Sequence, residues 1–339
     1  MSVQLGFAGP LFGAEYFLAQ RFQLPRIPDH LMDGAAFLFR TKEEAERRAK
    51  IGGTAFLVTK EIAGSREAFG QKLFVPYLVS CRHVVFGGGA SVVSINRRDG
   101  GPPDIFEFEP TDWTEHPNGD DVIAICAQGH MRPMEHRYAS VTNTRLLTPE
   151  FMRVTEIGIG DEVFMIGRFV NHQGQKENRC SARFGSISMM AENIWVKEDR
   201  RYQESFAVEM RSRTGFSGSP VAMYRTAATT LAKVATDNFW CILGINWGYI
   251  LDEQGENTWL NGVIPAWKII DLLEYTDLKK QHEKHERDFH QKVADHKSGG
   301  IKRSFAGEAD LPANDANPTH REDFTRLVDV AARKLEPKD

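Results

Sequence analysis

Three short segments carry side chains that could act together in nucleophilic catalysis. Ser217 lies in a turn bounded by glycines, within the run Gly215-Phe216-Ser217-Gly218-Ser219-Pro220. His83 ends one strand-like run, and an acidic pair, Asp120 and Asp121, opens another. A serine hydroxyl needs a neutral imidazole to take its proton and a carboxylate to orient that imidazole. It also needs backbone N–H groups aimed at the oxyanion, and glycine permits the turn that supplies them.

The elements that must position these residues are short β-strands. Between residues 53 and 265, apolar or alternating runs are separated by turn residues, such as the glycines at 87–89 and the Gly-Gly-Pro-Pro at 100–103. Many short strands with such turns indicate antiparallel barrels or a sandwich. Pro265 then begins a helix, in which Trp267, Ile270 and Leu273 are expected to share one face.

The segments on both sides of this strand-rich region have a different character. The N-terminal residues lack the basic start and clean apolar stretch of a secretory signal, so we expect them to belong to the folded protein. Residues 277–297 are predicted to form a charged helix and residues 298–318 a flexible linker. Residues 319–336 have a capping box and an amphipathic helical pattern. Such a helix either docks on its own chain or binds a partner protein.

Composition argues against several other classes of protein. The net charge of the 339 residues is −4, so the chain lacks the basic surface that nucleic acid or anionic membranes would require. No apolar run is long enough to span a membrane. The four cysteines are far apart, so neither a disulfide framework nor a structural zinc site is expected. We predict a cytoplasmic protein that needs no metal and no cofactor.

Read in order, these segments resemble the trypsin-like serine peptidases of the chymotrypsin fold, particularly the bacterial Deg-type branch. The resemblance is carried by Gly53-Thr54-Ala55-Phe56-Leu57, Arg82-His83-Val84, Asp121-Val122-Ile123-Ala124 and the turn from Gly215 to Pro220. Supporting matches lie at residues 159–164, 184–188 and 261–265. Each motif alone is weak, but all occur in the family's order over roughly residues 50–275. The tail is too short and too helical to be the peptide-binding (PDZ) module that follows the peptidase domain in this branch.

The resemblance implies a mainly β fold built from two antiparallel six-stranded β-barrels. The peptidase domain would span residues 46–276, with the first barrel at about 46–145 and the second at about 150–265. A closing helix would follow at residues 266–276. Residues 1–45 would form an N-terminal extension, and residues 277–339 a helical C-terminal tail.

The same resemblance assigns roles to the reactive residues. Ser217 would be the nucleophile, His83 the general base, and the N–H groups of Gly215 and Ser217 the oxyanion hole. Neighbouring strand residues point to opposite faces, so only one of the two acids can reach His83. Asp121 is favoured because it directly precedes the apolar run, as in the family, and Asp120 remains the alternative. The implied activity is that of a serine endopeptidase.

Residues that would contact the substrate follow from two further segments. Asn246, Trp247 and Gly248 lie on a run that resembles the strand with which the family pairs the substrate backbone. Arg211, which precedes the serine turn, could line the same pocket. If Arg211 or Arg213 points inward, the pocket would favour acidic side chains; if both point to solvent, the pocket would be apolar.

The means of activation separates this chain from the digestive branch of the family. There, an aspartate before the nucleophile pairs with a newly cut N-terminus, and here Phe216 stands in its place and cannot form that ion pair. We therefore do not expect activation by cleavage. Two alternatives to a constitutive peptidase stay open: a catalytically silent peptide-binding scaffold, and a protease that is latent until a partner in a stress or defence system activates it. The expected partners are a protein or peptide substrate and a regulatory protein that the C-terminal helix would bind.

Overall fold

The structure is a computed structural model that describes residue 27 and residues 29–70, 72–196, 200–225, 239–252 and 254–297. Most of the predicted N-terminal extension, the predicted linker and the predicted terminal helix lie outside the described residues. None of the helices in the described ranges combines the length and the apolar character that crossing a bilayer requires. The described residues form two β-sheets and several helices, so the prediction of a mainly β fold is confirmed.

The first sheet contains eight strands. The strands run in the order β5-β4-β1-β2-β3-β7-β6, and β8 pairs in parallel with β2. The strands are β1 Ala36–Phe39, β2 Thr54–Glu61, β3 Phe74–Ser80, β4 Val92–Ile95, β5 Asp104–Phe106, β6 Thr114–Glu115, β7 Ile123–Cys126 and β8 Ser140–Thr142.

This first sheet corrects the prediction of two closed six-stranded barrels. Its end strands β5 and β6 are three and two residues long, and in the described residues they do not pair with each other, so the sheet stays open. Strand β1 lies in the range predicted to be an extension, yet it pairs with both β2 and β4. All four of its residues are buried, so it lacks the alternation of buried and exposed residues by which a half-buried strand is recognised. The sheet therefore begins before residue 46.

The second sheet closes into a barrel of six antiparallel strands. Around the ring the order is β9-β10-β11-β14-β13-β12, and β12 pairs back with β9. The prediction of a six-stranded second barrel is therefore confirmed. The strands are β9 Glu162–Arg168, β10 Cys180–Val196, β11 Arg201–Met210, β12 Ser219–Arg225, β13 Phe239–Leu251 and β14 Asn257–Pro265.

In the described part of the chain, five α-helices accompany the sheets: α1 Lys42–Glu46, α2 Ser65–Phe69, α3 Pro149–Val154, α4 Ala266–Glu274 and α5 Asp277–Lys297. Short 3-10 helices occur at Asp29–Asp33, Pro110–Asp112, Asn143–Arg145 and Val170–His172, and one π-helical turn at His83–Gly87.

Helix α4 closes the barrel after residue 265, as the sequence indicates, but its buried stripe differs from the expected one. The buried residues are Ala266, Ile269, Leu272 and Leu273, whereas Trp267 and Ile270 are only partly buried. Helix α5 forms where the charged helix is predicted, yet His282 is buried, with Nδ1 3.2 Å from the Tyr77 hydroxyl and Nε2 3.2 Å from the Glu61 carbonyl oxygen. One face of α5 therefore packs on the first sheet.

A buried arginine joins the two sheets. Arg168, at the end of β9, donates to the carbonyl oxygens of Leu38 and Ile51, both at 2.7 Å, and of Ala49 at 2.5 Å. Its Nε also donates to Gln173 Oε1 at 2.6 Å. Burial lowers the pKa of this guanidinium to about 9, and the nearby charge of Arg48 acts in the same direction. The segment that leads into β2 is therefore held against the barrel by neutral carbonyl acceptors.

Candidate active site

His83 and Asp121 meet because their strands are neighbours. Strand β3 ends just before His83, β7 begins just after Asp121, and the register pairs Ser80 with Ile123. One carboxylate oxygen of Asp121 lies 2.6 Å from His83 Nδ1, and the other accepts the His83 backbone N–H at 2.8 Å. The Asp121 side chain is buried and that of His83 is partly exposed. In a neutral imidazole this contact favours a proton on Nδ1, which leaves the lone pair on Nε2.

The neighbouring acid is engaged elsewhere. Asp120 accepts from Gln203 Nε2 at 2.7 Å and lies 3.0 Å from His116 Nδ1 and 3.2 Å from Lys268 Nζ. Burial alone would raise the pKa of Asp120, but the His116 hydrogen bond, the Lys268 charge and the Gln203 hydrogen bond outweigh it and bring the pKa to about 2. Of the two acids, Asp121 is the one that contacts His83.

The serine turn is held by close packing that requires its glycines. Gly215 and Gly218 have φ values of 101° and 87°, in the region that favours glycine. A Cβ at Gly218 would lie 2.0 Å from the Thr54 carbonyl oxygen, and one at Gly215 would lie 2.7 Å from the Arg168 carbonyl oxygen. Between them, the Phe216 side chain is fully buried, so it anchors the turn in the barrel by packing.

The Ser217 hydroxyl donates to the Trp247 carbonyl oxygen at 3.2 Å. Trp247 is the extra residue of a β-bulge, because the register of β13 against β14 shifts between Asn246 and Gly248. Its carbonyl oxygen can therefore accept a hydrogen bond from a group outside the sheet. In this conformation the hydroxyl proton points to Trp247 rather than to His83.

Two backbone N–H groups of the turn have no acceptor among the described residues. Phe216 N–H donates to the Arg213 carbonyl oxygen at 3.3 Å, whereas in the described part of the chain Gly215 N–H and Ser217 N–H donate to no protein acceptor. Gly215 is nevertheless buried. Ser217 is partly exposed. Buried backbone donors are nearly always paired, so the Gly215 N–H, with the Ser217 N–H two residues further along the turn, indicates a place for an external acceptor such as an oxyanion.

Contacts between the two sheets bring the turn close to the His83–Asp121 pair. Thr54, the first residue of β2, donates from its N–H to the Ser217 carbonyl oxygen at 2.9 Å and from its hydroxyl to the Gly215 carbonyl oxygen at 2.7 Å. Cys81, two residues before His83, donates from Sγ to the Asn246 carbonyl oxygen at 3.3 Å. The same Asn246 oxygen accepts Gly218 N–H at 2.8 Å.

Cys81, His83 and Asp121 are also the one group in the described residues whose side-chain donors are spaced closely enough for a metal ion, within 4.8 Å of one another. The donors fit a metal poorly. Burial raises the pKa of the Cys81 thiol well above its usual value, and both Asp121 oxygens already accept hydrogen bonds from His83. A metal would have to replace those hydrogen bonds.

The residues expected to contact substrate fall into two groups. Asn246 is buried and donates from Nδ2 to the Phe216 carbonyl oxygen at 3.0 Å, so its side chain supports the turn. Trp247 Nε1 donates to Ser205 Oγ at 3.0 Å, and the ring covers Gly262, where a Cβ would lie 2.2 Å from it. Gly248 follows the bulge. Arg211 is not among these contacts; together with Arg213 it lines a cavity of about 470 Å³.

Two residues of the site had no assigned role in the sequence analysis. Thr54 belongs to a motif that marked a strand, but nothing in that motif indicated that it would bind the serine turn. Gln203 connects the two acids: its Nε2 donates to Asp120, and its Oε1 accepts the Asp121 N–H at 2.9 Å. An isolated glutamine in a strand has no sequence signal for such a role.

Similarity to known proteins is found among solved structures. No protein-family model matches the chain, and no curated protein matches its sequence. The protease domain of MamO from Magnetospirillum magneticum is 12% identical, with a TM-score of 0.44 over 71% of this chain and 96% of that chain. The HtrA-type protease AlgW is 17% identical, with a TM-score of 0.38 over 66% of this chain and 50% of that chain. Deg5 is 14% identical, with a TM-score of 0.38 over 76% of this chain and 92% of that chain. The solved structures to which this chain is similar thus include a protease domain, an HtrA-type protease and Deg5.

Proposed function

We propose that this protein is a serine endopeptidase in which Ser217 is the nucleophile, His83 the general base and Asp121 the residue that orients His83. The observation that carries the proposal is the pair of hydrogen bonds from His83 to the Asp121 carboxylate, at 2.6 Å and 2.8 Å. They favour the imidazole tautomer whose Nε2 can accept a proton. The glycine-bounded serine turn, with two unused N–H donors, lies against the same sheet.

In the proposed reaction, Ser217 Oγ attacks the peptide carbonyl carbon while its proton moves to His83 Nε2. The buried Asp121 carboxylate stabilises the imidazolium, and the N–H groups of Gly215 and Ser217 hold the oxyanion. His83 then gives its proton to the leaving amine, which breaks the C–N bond and leaves an acyl-enzyme on Ser217. Water attacks the acyl group with His83 again as the base, which releases the acid and restores the hydroxyl.

The hydrogen bond from Ser217 to Trp247 favours a second candidate, a protein that is latent or catalytically silent. For proton transfer, the hydroxyl must leave the Trp247 carbonyl oxygen and turn to His83. Breaking one such hydrogen bond costs about 1 kcal/mol, which is small beside a catalytic barrier. A latent protease would make this change when a partner or substrate binds, and a silent scaffold would never make it.

Hydrolysis of an unfolded protein such as casein tests the proposal. We expect the full chain to cleave casein and Ser217→Ala to lower the rate at least about a thousandfold, because the nucleophile is lost. Ser219→Ala is the matched control: its hydroxyl is buried without a partner in the described residues, so its loss removes no hydrogen bond. Equal rates for the wild type and Ser217→Ala would contradict the proposal. If only added cell lysate produced Ser217-dependent cleavage, the latent form would be supported.

Three further parts of the proposal concern context. We propose a peptidase domain that ends at residue 276, as the sequence predicts, and that begins before the predicted residue 46, because β1 belongs to its first sheet. We also propose a cytoplasmic location and a regulatory partner bound by the predicted helix at 319–336, which lies outside the described residues. The partner would be tested by comparing the proteins that the full chain captures with those captured by a chain that lacks residues 298–339.

A further inference from the structure

A cavity of about 470 Å³ lies beside the serine turn, and Arg183, Arg211 and Arg213 all line it. We refer to it as the arginine cavity. We propose that the arginine cavity binds a negatively charged side chain of the substrate, at the residue that directly precedes the cleaved bond. This inference rests on the proposed function, because it names the substrate class of that same site.

The walls of the arginine cavity are continuous with the residues that contact Ser217. The Arg213 carbonyl oxygen accepts Phe216 N–H at 3.3 Å, so the segment that carries Arg213 is part of the serine turn. The Arg183 guanidinium lies 5.3 Å from the ring centre of Phe216, the residue directly before Ser217. Tyr249, on another wall, is two residues beyond Trp247, whose carbonyl oxygen accepts the Ser217 hydroxyl. These contacts place the cavity next to the turn that carries Ser217, and a substrate side chain beside the reacting carbonyl would lie on the same side of the turn in the proposed complex.

Among the described residues, the three arginines lack the acidic partners that several other arginines have. Arg40 pairs with Glu44 at 2.6 Å, and Arg137 pairs with both Asp33 and Glu177. Within the described ranges, Arg183, Arg211 and Arg213 form no ion pair, and no carboxylate lines the arginine cavity. The chain as a whole has a net charge of −4, so this positive charge is a local feature. A negatively charged ligand would provide these arginines with an acidic partner.

The remaining lining residues add donors and an aromatic edge. Asn257 Oδ1 accepts the Trp259 backbone N–H at 2.8 Å, which leaves the Asn257 amide group as a hydrogen-bond donor. Tyr249 contributes a phenolic hydroxyl. Arg183 also lies 5.1 Å from the ring centre of Phe169, so its guanidinium is held between two aromatic rings before a ligand arrives. These groups suit a carboxylate, and they would also suit a phosphate.

Binding to the Ser217→Ala full chain tests the cavity without requiring catalysis. The probes are fluorescein-labelled octapeptides of one sequence, with Glu, Asp, Gln, Leu, Lys or phosphoserine at the fourth position. We expect the Glu or Asp peptide to bind at least about tenfold more tightly than the Gln peptide, because charge-assisted hydrogen bonds exceed neutral ones. The preference should weaken as salt is raised, because the arginines are partly exposed. Tighter binding of phosphoserine than of Glu would also support an anionic site and identify a phosphorylated substrate as its source.

Substitutions assign the preference to the cavity. Arg211→Gln and Arg213→Gln, each in the Ser217→Ala chain, should bring the ratio of Glu to Gln affinity towards one. The matched control is Arg153→Gln, an exposed arginine of α3 that does not line the arginine cavity, and it should leave the ratio unchanged. A ratio near one in the Ser217→Ala chain, or tighter binding of the Leu or Lys peptide, would overturn the proposal. So would an anionic preference that the Arg211 and Arg213 substitutions leave intact.

Cleavage of the same peptides by the wild-type chain separates the two hypotheses. Faster cleavage after Glu or Asp than after Gln, by the same ratio as in binding, would support both hypotheses. Cleavage without an anionic preference would overturn the arginine cavity and retain the peptidase. An anionic binding preference without Ser217-dependent cleavage, in buffer or with lysate, would retain the cavity and overturn the catalytic proposal.

Discussion

Replacing Asp121 with asparagine tests the orientation of His83 directly. The Asp121 carboxylate accepts two hydrogen bonds from His83, one from the backbone N–H and one from Nδ1. In Asp121→Asn, the amide oxygen can keep the bond to the backbone N–H, which directs the amide NH₂ group towards Nδ1. Because that group donates, Nδ1 must become an acceptor and the ring proton must move to Nε2. His83 then cannot accept the proton of Ser217.

The expected effect on the rate is large, and the effect on stability is small. Loss of the correct imidazole tautomer lowers the rate of a serine triad by about 10⁴-fold, which corresponds to about 5 kcal/mol of activation free energy. Both hydrogen bonds to the carboxylate become bonds to a neutral amide, so the free energy of unfolding should fall by only about 1–2 kcal/mol. If Asp121 orients His83, the substitution should lower the rate strongly and the free energy of unfolding only slightly. If Asp121 had a purely structural role, the two would fall together.

Two assays measure this separation. Casein hydrolysis gives the rate, and urea unfolding gives the stability. The ¹⁵N shifts of the His83 ring, assigned by comparison with His83→Gln, report the tautomer without any need for activity. The wild type should show a protonated Nδ1, and Asp121→Asn a protonated Nε2.

Asp120→Asn is the matched control, because it removes a carboxylate one residue away that contacts His116, Gln203 and Lys268 but not His83. We expect its rate to stay within tenfold of the wild type and its stability to fall by roughly 1–3 kcal/mol, because a buried charge network is broken. The reasoning would be refuted if Asp120→Asn abolished hydrolysis while Asp121→Asn left the rate and the His83 tautomer unchanged.

Three other changes probe the framework of the site. In Arg168→Met, the carbonyl oxygens that accept hydrogen bonds from Arg168 lose their donors, so the free energy of unfolding should fall by roughly 3 kcal/mol or more. An unchanged urea midpoint would argue against a stabilising role for these hydrogen bonds. Gly262→Ala places a Cβ 2.2 Å from the Trp247 ring and should shift the indole fluorescence and destabilise the chain by about 1–3 kcal/mol, whereas Gly158→Ala, with no atom within 4 Å, should do neither. Burial, aided by the charge of Lys60, lowers the pKa of His282 below 6.5, so the unfolded state binds the proton first and α5 should lose stability as the pH falls through 6.5. Hydrogen exchange in α5 at pH 7.5 and 5.5, corrected for intrinsic rates, should show this loss, and His282→Gln should diminish it; a pH-independent α5 would contradict it.

The sequence could predict the elements whose signals are local. The apolar runs that flank His83, Asp121 and Ser217 are separated by clear turns and form β3, β7 and β12, and the second barrel closes with six strands as expected. Strand β1 escaped prediction because all its residues are buried, and β5, β6 and β8 because they are only two or three residues long. Such short strands depend on their neighbours more than on their own composition.

The details of the candidate site depend on contacts between residues that are distant in sequence. The choice between Asp120 and Asp121 depends on Gln203 and Lys268, more than 80 residues away. The direction of the Ser217 hydroxyl depends on a bulge in β13; Gly248 is consistent with a bulge there, but it does not indicate which group the Trp247 carbonyl oxygen would accept from. The arginine cavity needs Arg183 from β10 beside Arg211 and Arg213. Sequence alone could place these residues on strands and loops, but it could not bring them together.

Site-mapped labelling with a fluorophosphonate probe is the most direct test of the central claim, that His83 activates Ser217. The full wild-type chain would be labelled in buffer and in cell lysate, digested, and examined by mass spectrometry, beside Ser217→Ala, His83→Gln and Ser219→Ala. The account predicts an adduct on Ser217 in the wild type and in Ser219→Ala, and none in the other two. An adduct on a different residue, equal labelling of Ser217 in His83→Gln, or no adduct in either condition would contradict it.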